Sequence, residues 1–302
     1  MLQEAVDKRT AGKRAAKELA GADTARQKPS EIASTALLHL VLIIGAIFMV
    51  VPFLWMLLTS LMTTAQAFAV PPSFIPNPFM WSNYPQSFNA LPFNLAYMNS
   101  AIVAVSVTVV QLITCAMAAY AFARIQFPGR EIIFFVFLAT MMIPFQLTII
   151  PIFLTMKQIG LLDTLLSLIL PPALFSAFGV FLLRQFILGL PLELEEAAIV
   201  DGANRWTIFW QIILPLLRAP LAALGIFTFI GMWNDFFRPL IMLNTPSNFT
   251  VPLMLSQFRG QYATEWTLVM AGSVIAVLPL LIVYILAQRH IIRGIAMTGL
   301  KA

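Results

Sequence analysis

Three carboxylates, Glu193, Glu195 and Glu196, fall within four positions of a chain otherwise dominated by apolar residues. Carboxylates this close could act as general acid and base, hold a cation, or present charge to another protein. The first two uses need further groups at suitable spacing. The two histidines, His39 and His290, are far apart and away from the cluster. The single Cys115 lies in an apolar run and reads as a small buried residue, so no disulfide framework exists. No phosphate-cradling G-x-x-x-x-G-K-[ST] stretch occurs. The other charges of interest are Asp235 and Arg238, three apart in apolar sequence, where one helix face would let them pair.

These groups need elements to position them, and the composition says what kind. The 302 residues are 60% hydrophobic and only 10% charged, against about 25% charged in soluble domains. A bilayer core takes about 20 apolar residues as a helix. Six stretches qualify: 36–62, 96–122, 132–156, 165–183, 219–243 and 268–287. Pro144 and Pro151 fall in the third, Pro171 and Pro172 in the fourth. Prolines are tolerated in such spans because neighbouring helices re-satisfy the freed backbone groups. One unit, 36–302, follows a basic tail, 1–35, that is too long and polar to lead a cleaved signal peptide.

Lys and Arg are strongly unequal across the connections. Fifteen lie on the side of the termini and three on the other. Basic residues mark the cytoplasmic side, so both termini and the acidic cluster are expected there. The uncharged connection from Thr63 to Leu95 carries six prolines and cannot be a regular helix. It is expected to cap the outer surface, with Trp81 and Tyr84 near the interface. The Asn248-Phe249-Thr250 sequon is too short a match to carry weight.

The acidic loop, about 190–218, is the most structured polar segment. Pro191 can open a helix, the glutamates suit the dipole of its first turns, and Ala197 and Ala198 keep side chains small. Gly202 can end it in a left-handed residue. A second piece, Trp206–Leu214, leads through Pro215 to the fifth span. The charged and small residues have no evident partner within the chain. The segment is either a solvated interfacial helix or a docking element.

The spacing Glu196-Ala197-Ala198, three residues, Gly202, nine residues, Ile212, one residue, Leu214-Pro215 resembles the EAA signature of permease subunits of bacterial ABC importers. PFLWMLLTSLM, PPSFIPNP, WNDFFRPL and the ending QRHIIRGIAMTGLKA look like the shorter, six-span partner in maltose-type carbohydrate importers. The likeness covers roughly residues 35 to 302. It implies an all-α membrane protein of the type I importer class with a cytoplasmic coupling helix, in a bacterial inner membrane. It implies a second permease, two ATPase subunits that use ATP and Mg, an external solute-binding protein and a carbohydrate substrate. It implies no cofactor or nucleic acid on this chain. The ATPase-facing set would be Glu195, Glu196, Ala197, Ala198, Asp201, Gly202, Ile212, Leu214 and Pro215. The C-terminal tail would also reach the ATPase, and Asn244 to Thr267 would face the binding protein. Trp233, Asn234, Asp235 and Arg238 are candidates for the substrate path.

Other classes fit less well. An ion-coupled transporter needs ionisable groups inside its spans, and the cores of spans one to four and six hold no carboxylate. A membrane enzyme needs a polar constellation beside the membrane, which the acidic loop lacks. A related importer for glycerol 3-phosphate, a glycerophosphodiester or a polyol remains a second possibility.

Overall fold

The computed structural model describes residues 29–90, 92–261 and 265–299. The basic tail up to residue 28 and the last three residues lie outside them. Among the described residues the regular structure is helical, with no strand.

The chain divides into two units, Met1–Trp55 and Met56–Ala302. The first contains most of helix α1, Pro29–Ser60. From Leu37 to Leu54 its large apolar side chains are exposed, as suits a helix solvated by hydrocarbon.

The second unit starts in the last turn of α1. A single turn of helix at Thr64–Ala67 and helix α2, Asn83–Ala90, interrupt the proline-rich connection. That connection is therefore less irregular than its prolines suggest, because Pro85 falls in the first turn of α2, where no N–H is missed. Asn83 Nδ2 donates to the carbonyls of Ser60 and Met62, both at 2.9 Å. Tyr84 meets the Ser60 hydroxyl at 2.8 Å, and the exposed Trp81 stacks between Phe79 and Tyr84.

Helix α3, Phe93–Arg124, is the axis of the unit. Small side chains along it, including Ala96, Ala104, Ala116 and Ala119, are fully buried and allow close helix approach. Helix α4, Arg130–Ala139, ends in a tight turn at Thr140–Met142, and α5 is Phe145–Gln158. The two are bent by 103°, so the third expected span is not one straight helix. Pro144, extended at ψ 132°, sits at the bend.

Helices α6, Leu165–Leu174, and α7, Ala177–Leu188, form the fourth span with a break at Phe175–Ser176. The break frees carbonyls, and α3 takes them up: Gln111 Nε2 donates to Pro172 O and Thr114 Oγ1 to Ala173 O. Just past the break, Gly179 lets α7 press against α3, since a Cβ there would lie 2.7 Å from Cys115 Sγ.

The acidic loop follows as α8, Glu193–Val200, and α9, Arg205–Leu216. Then come α10, Arg218–Trp233, α11, Phe237–Met242, α12, Val251–Gln261, and α13, Trp266–Gly299. Helices α9 and α10 meet at 76°. Among the described residues, four helical stretches are long and apolar enough to cross a membrane, and six if each bent pair counts as one span. The fifth span is shorter than expected, because regular helix stops at Trp233 and Asn234–Phe236 intervene before α11.

Two apolar clusters form the core. One gathers Phe93, Val103, Met242, Leu253 and Leu268 around the first half of α3. The other gathers Ala116, Tyr120, Leu183, Ile187, Ala198, Phe209 and Leu224 around its second half.

Candidate functional site

The acidic cluster lies at the second end of α3. Helix α8 starts at Glu193, two residues after Pro191, so the proline precedes the helix rather than opening it. All three glutamates occupy its first turn, where they complement the helix dipole. It ends in paired backbone bonds, Ala203 N to Ala198 O and Gly202 N to Ile199 O, with Gly202 at φ +81°. That is the Schellman termination glycine permits. Asn204 then caps α9, its Oδ1 accepting from the Thr207 amide at 2.9 Å.

Helix α9 is not a plain amphipathic helix. Its middle, Ile208–Ile213, is wound as a π-helix, and Ile208, Phe209 and Ile213 are buried. Phe209 packs against Tyr120 with ring centroids 5.6 Å apart. Ile212 and Leu214 are half-buried against the same cluster.

The expectation that the cluster has no partner within the chain fails for two residues. Glu195 is buried, with Oε1 2.7 Å from Arg124 Nε. The contact is one of charge by distance rather than an aligned hydrogen bond. Tyr120 Oη donates to Glu195 Oε2 at 3.4 Å. Ala198 is buried on the same face, so it packs inward and gives no close approach to an external protein. Glu196, Ala197, Asp201 and Gly202 are exposed.

Sequence reasoning missed Arg124, which it used only to orient the chain. Arg124 Nη2 donates to Ile187 O at 2.8 Å and Leu190 O at 2.7 Å, at the end of α7. Arg184, on α7, answers in the other direction. Its Nε donates to Phe122 O of α3 at 3.1 Å, and its Nη2 reaches both oxygens of Glu131 at 2.9 and 3.0 Å. The Arg184 guanidinium also lies 4.1 Å from the centre of the Phe134 ring. The signal available in the sequence was a pair of arginines ending spans on the side of the acidic cluster.

Asp235 and Arg238 do pair, Nη1 to Oδ2 at 2.8 Å, but not on one continuous helix. Asp235 lies in the break after α10 and Arg238 in α11, whose first turn Asp235 Oδ1 approaches by accepting from the Arg238 amide at 3.3 Å. The guanidinium stacks 4.1 Å from the Phe145 centroid, joining this break to the bend before α5. Asn234 is exposed. Trp233 is 4% exposed, and its Nε1 donates to Ala276 O at 3.2 Å. Its ring stacks on Phe229 and meets Tyr97 edge-on, so it faces the bundle rather than a passing solute.

At the first end of α3, Asp163 organises the loop that leads into Asn244–Thr267. Its carboxylate accepts from the amides of Asn244 and Thr245 at 2.9 and 3.0 Å and from the Thr245 hydroxyl. These bonds, the Thr245 hydroxyl foremost, lower its pKa to about 2. Asn248 Nδ2, the sequon side chain, donates to Asp163 O at 2.6 Å. Residues 262–264 of the expected binding-protein-facing stretch lie outside the described residues, as do the side chains of most of the C-terminal tail. Among the described residues, no three His, Cys, Asp or Glu side chains are grouped to hold a metal ion.

Bent and broken apolar helices about a central one, four to six of them able to cross a membrane among the described residues, mark a multi-pass membrane protein. The chain belongs to the family described as binding-protein-dependent transport system inner membrane component, whose profile matches residues 111–297. It is 36% identical over 263 residues to the diacetylchitobiose uptake system permease protein NgcG of Streptomyces coelicolor, covering 85% of each chain. It is 34% identical over 267 residues to the sn-glycerol-3-phosphate transport system permease protein UgpE of Yersinia pestis, covering 85% of this chain and 94% of that one. Among solved structures, a bacterial ABC transporter involved in the import of the acidic polysaccharide alginate contains a chain of the same fold. The TM-score is 0.77 at 26% identity, over 88% of this chain and 99% of that one.

Proposed function

We propose that this chain is one of two permeases in an ATP-driven importer of carbohydrates, and that α8 is its docking element for a cytoplasmic ATPase. One observation carries the reading of α8: its exposed face mixes the carboxylates Glu193 and Glu196 with uncovered apolar side chains. The helix buries the glutamate Glu195 and exposes Leu194, Ile199 and Val200, the last at 86%. An eight-residue helix arranged this way suits a second protein that covers the apolar residues while Glu196 meets a basic group at the rim. On this reading the α8 end is cytoplasmic, in keeping with the Lys and Arg asymmetry.

The chain's work is then mechanical. ATP and Mg bind between the partner ATPase subunits, and closure of that dimer moves α8. The bundle has two openings, and the docked nucleotide state biases which one is populated. A solute-binding protein delivers sugar at the opposite end, against the loop that Asp163 organises.

A saccharide is favoured by the diacetylchitobiose relative and the alginate transporter. The second reading, a phosphorylated solute, is favoured by the glycerol-3-phosphate relative. The test is co-purification of the companion permease and ATPase with wild type and with Glu196→Lys/Gly202→Pro. Loss of the ATPase only from the double variant supports docking through α8, and equal recovery rejects it. Binding-protein-stimulated ATP hydrolysis with diacetylchitobiose or glycerol 3-phosphate then separates the two solute classes.

A further inference from the structure

The ends of α3 and α7 beside α8 are joined by two arginines in opposite directions. Arg124, the last residue of α3, gives both hydrogen bonds of its Nη2 to carbonyls at the end of α7. Arg184 of α7 gives its Nε to Phe122 O of α3. Each then holds one carboxylate on a third element: Arg124 holds Glu195 of α8, and Arg184 holds Glu131 of α4. The Arg124 and Glu195 side chains are only 7% and 9% exposed.

The two halves of the Arg124 contact differ in kind. Toward α7 it makes short hydrogen bonds to fixed carbonyls, which fail when distance or angle changes. Toward α8 it makes a 2.7 Å contact between opposite charges, and such an attraction falls off only gradually with distance. A displaced α8 therefore keeps pulling on Arg124 and with it on α3, while the Arg184 bond to Phe122 O, which does not involve α8, keeps α3 and α7 together.

We propose that Arg124 is the positioning residue through which a displacement of α8 reaches α3 and α7 as one body, with Arg184 locking the two spans to each other. This rests on the reading of α8 as the ATPase-docking helix. It goes beyond that reading by naming the receiver inside the bundle, where docking itself concerns only the exposed edge of α8.

The experiment uses the complete importer, with companion permease, ATPase and binding protein, reconstituted in liposomes. Arg124→Gln and the shape-preserving Glu195→Gln are compared with wild type and with Glu196→Lys. Three quantities are read: ATPase co-purification, ATP hydrolysis with and without binding protein, and solute moved per ATP. The expected result is that both glutamine variants retain the ATPase and hydrolyse ATP, while solute moved per ATP falls about tenfold, within the usual range of coupling between sites. Arg124→Lys, which keeps the charge but not the planar fork that serves α7 and Glu195 from separate nitrogens, should recover part of the loss. Unchanged transport per ATP in both glutamine variants overturns the proposal. So does loss of the ATPase from both, because the pair would then only shape the docking surface. If Glu196→Lys retains the ATPase and full coupling, the docking reading fails instead, whatever Arg124 does.

Discussion

The two ends of α3 are fastened by different chemistry. At the first end, the α3 side chains that bind loop backbone are neutral, and the one charged group, Asp163, lies on a loop rather than on α3. Asn99 Nδ2 donates to Ser247 O and Phe249 O at 2.8 and 3.0 Å, and Ser100 Oγ accepts from the Val251 amide at 2.8 Å. At the second end, guanidinium groups bind helix-end carbonyls and carboxylates together. Neutral hydrogen bonds are short-ranged and directional, so they set one loop geometry. The buried Arg124–Glu195 charge contact acts over a longer range and survives small displacements. The end that carries α8 is thus tied in a manner that transmits movement, and the opposite end in a manner that resists it.

Breaking the charged end should have the largest effect on stability. Arg124→Ala leaves Glu195 buried without its counter-charge, and losing one member of a buried pair costs about 3–5 kcal/mol. Replacing both, as Arg124→Met with Glu195→Leu, should cost less than the single change, because no orphan charge remains. Chemical unfolding of the purified chain in detergent measures both, and a double variant worse than Arg124→Ala would contradict the assignment of the pair as buried. The neutral end should be weaker per residue. Asn99→Leu strips the buried Phe249 carbonyl and the more exposed Ser247 carbonyl of their donor and should cost about 1–3 kcal/mol. Its effect should appear as faster amide exchange in residues 247–251, with transport per ATP unaltered. Gly202→Ala ranks next. Nothing crowds a Cβ there, so the cost is only that of φ +81°, about 1–2 kcal/mol. It should show as fraying of α8 and weaker ATPase retention.

Much of this contrast was legible in the sequence, and the remainder was hidden for physical reasons. Long apolar runs announced α1, α3 and α13, because a bilayer demands continuous helix. The same runs concealed the breaks. Pro144 sits in an uncharged, mostly apolar stretch, yet the chain turns by 103° there, and hydropathy does not record direction. Asn234 and Asp235 compete with helix for backbone bonds, which marked the end of α10 in principle, but the apolar run to Leu243 outweighed them. The signature located α8 and Gly202, but it set Glu195 and Ala198 on the outward face, and the structure buries both. Glu195 and Ala198, at helical spacing of three, turned out to be the inner face. An acidic residue in that position is recognisable only once Arg124, 71 positions earlier and close in space, is known to meet it.

The smallest effect belongs to Asp163, and it sharpens the comparison by making the first end respond to acid. Its carboxylate titrates near 2 rather than at the ordinary 3.8, because the Thr245 hydroxyl and the Thr245 and Asn244 amides all donate to the ionised form. A folded pKa below the unfolded one means the ionised form stabilises the native loop. The contribution is complete above the ordinary carboxylate range. It declines as pH falls below about 4 and is gone once pH passes below about 2. Amide protection at Asn244 and Thr245 should therefore be flat from neutral pH down to about 4 and fall below it. Asp163→Asn should lower protection throughout and remove the acid step. If the wild-type step persists in that variant, the loop owes its acid response to another group, and the first end of α3 is less neutral in its construction than the Asn99 and Ser100 contacts indicate.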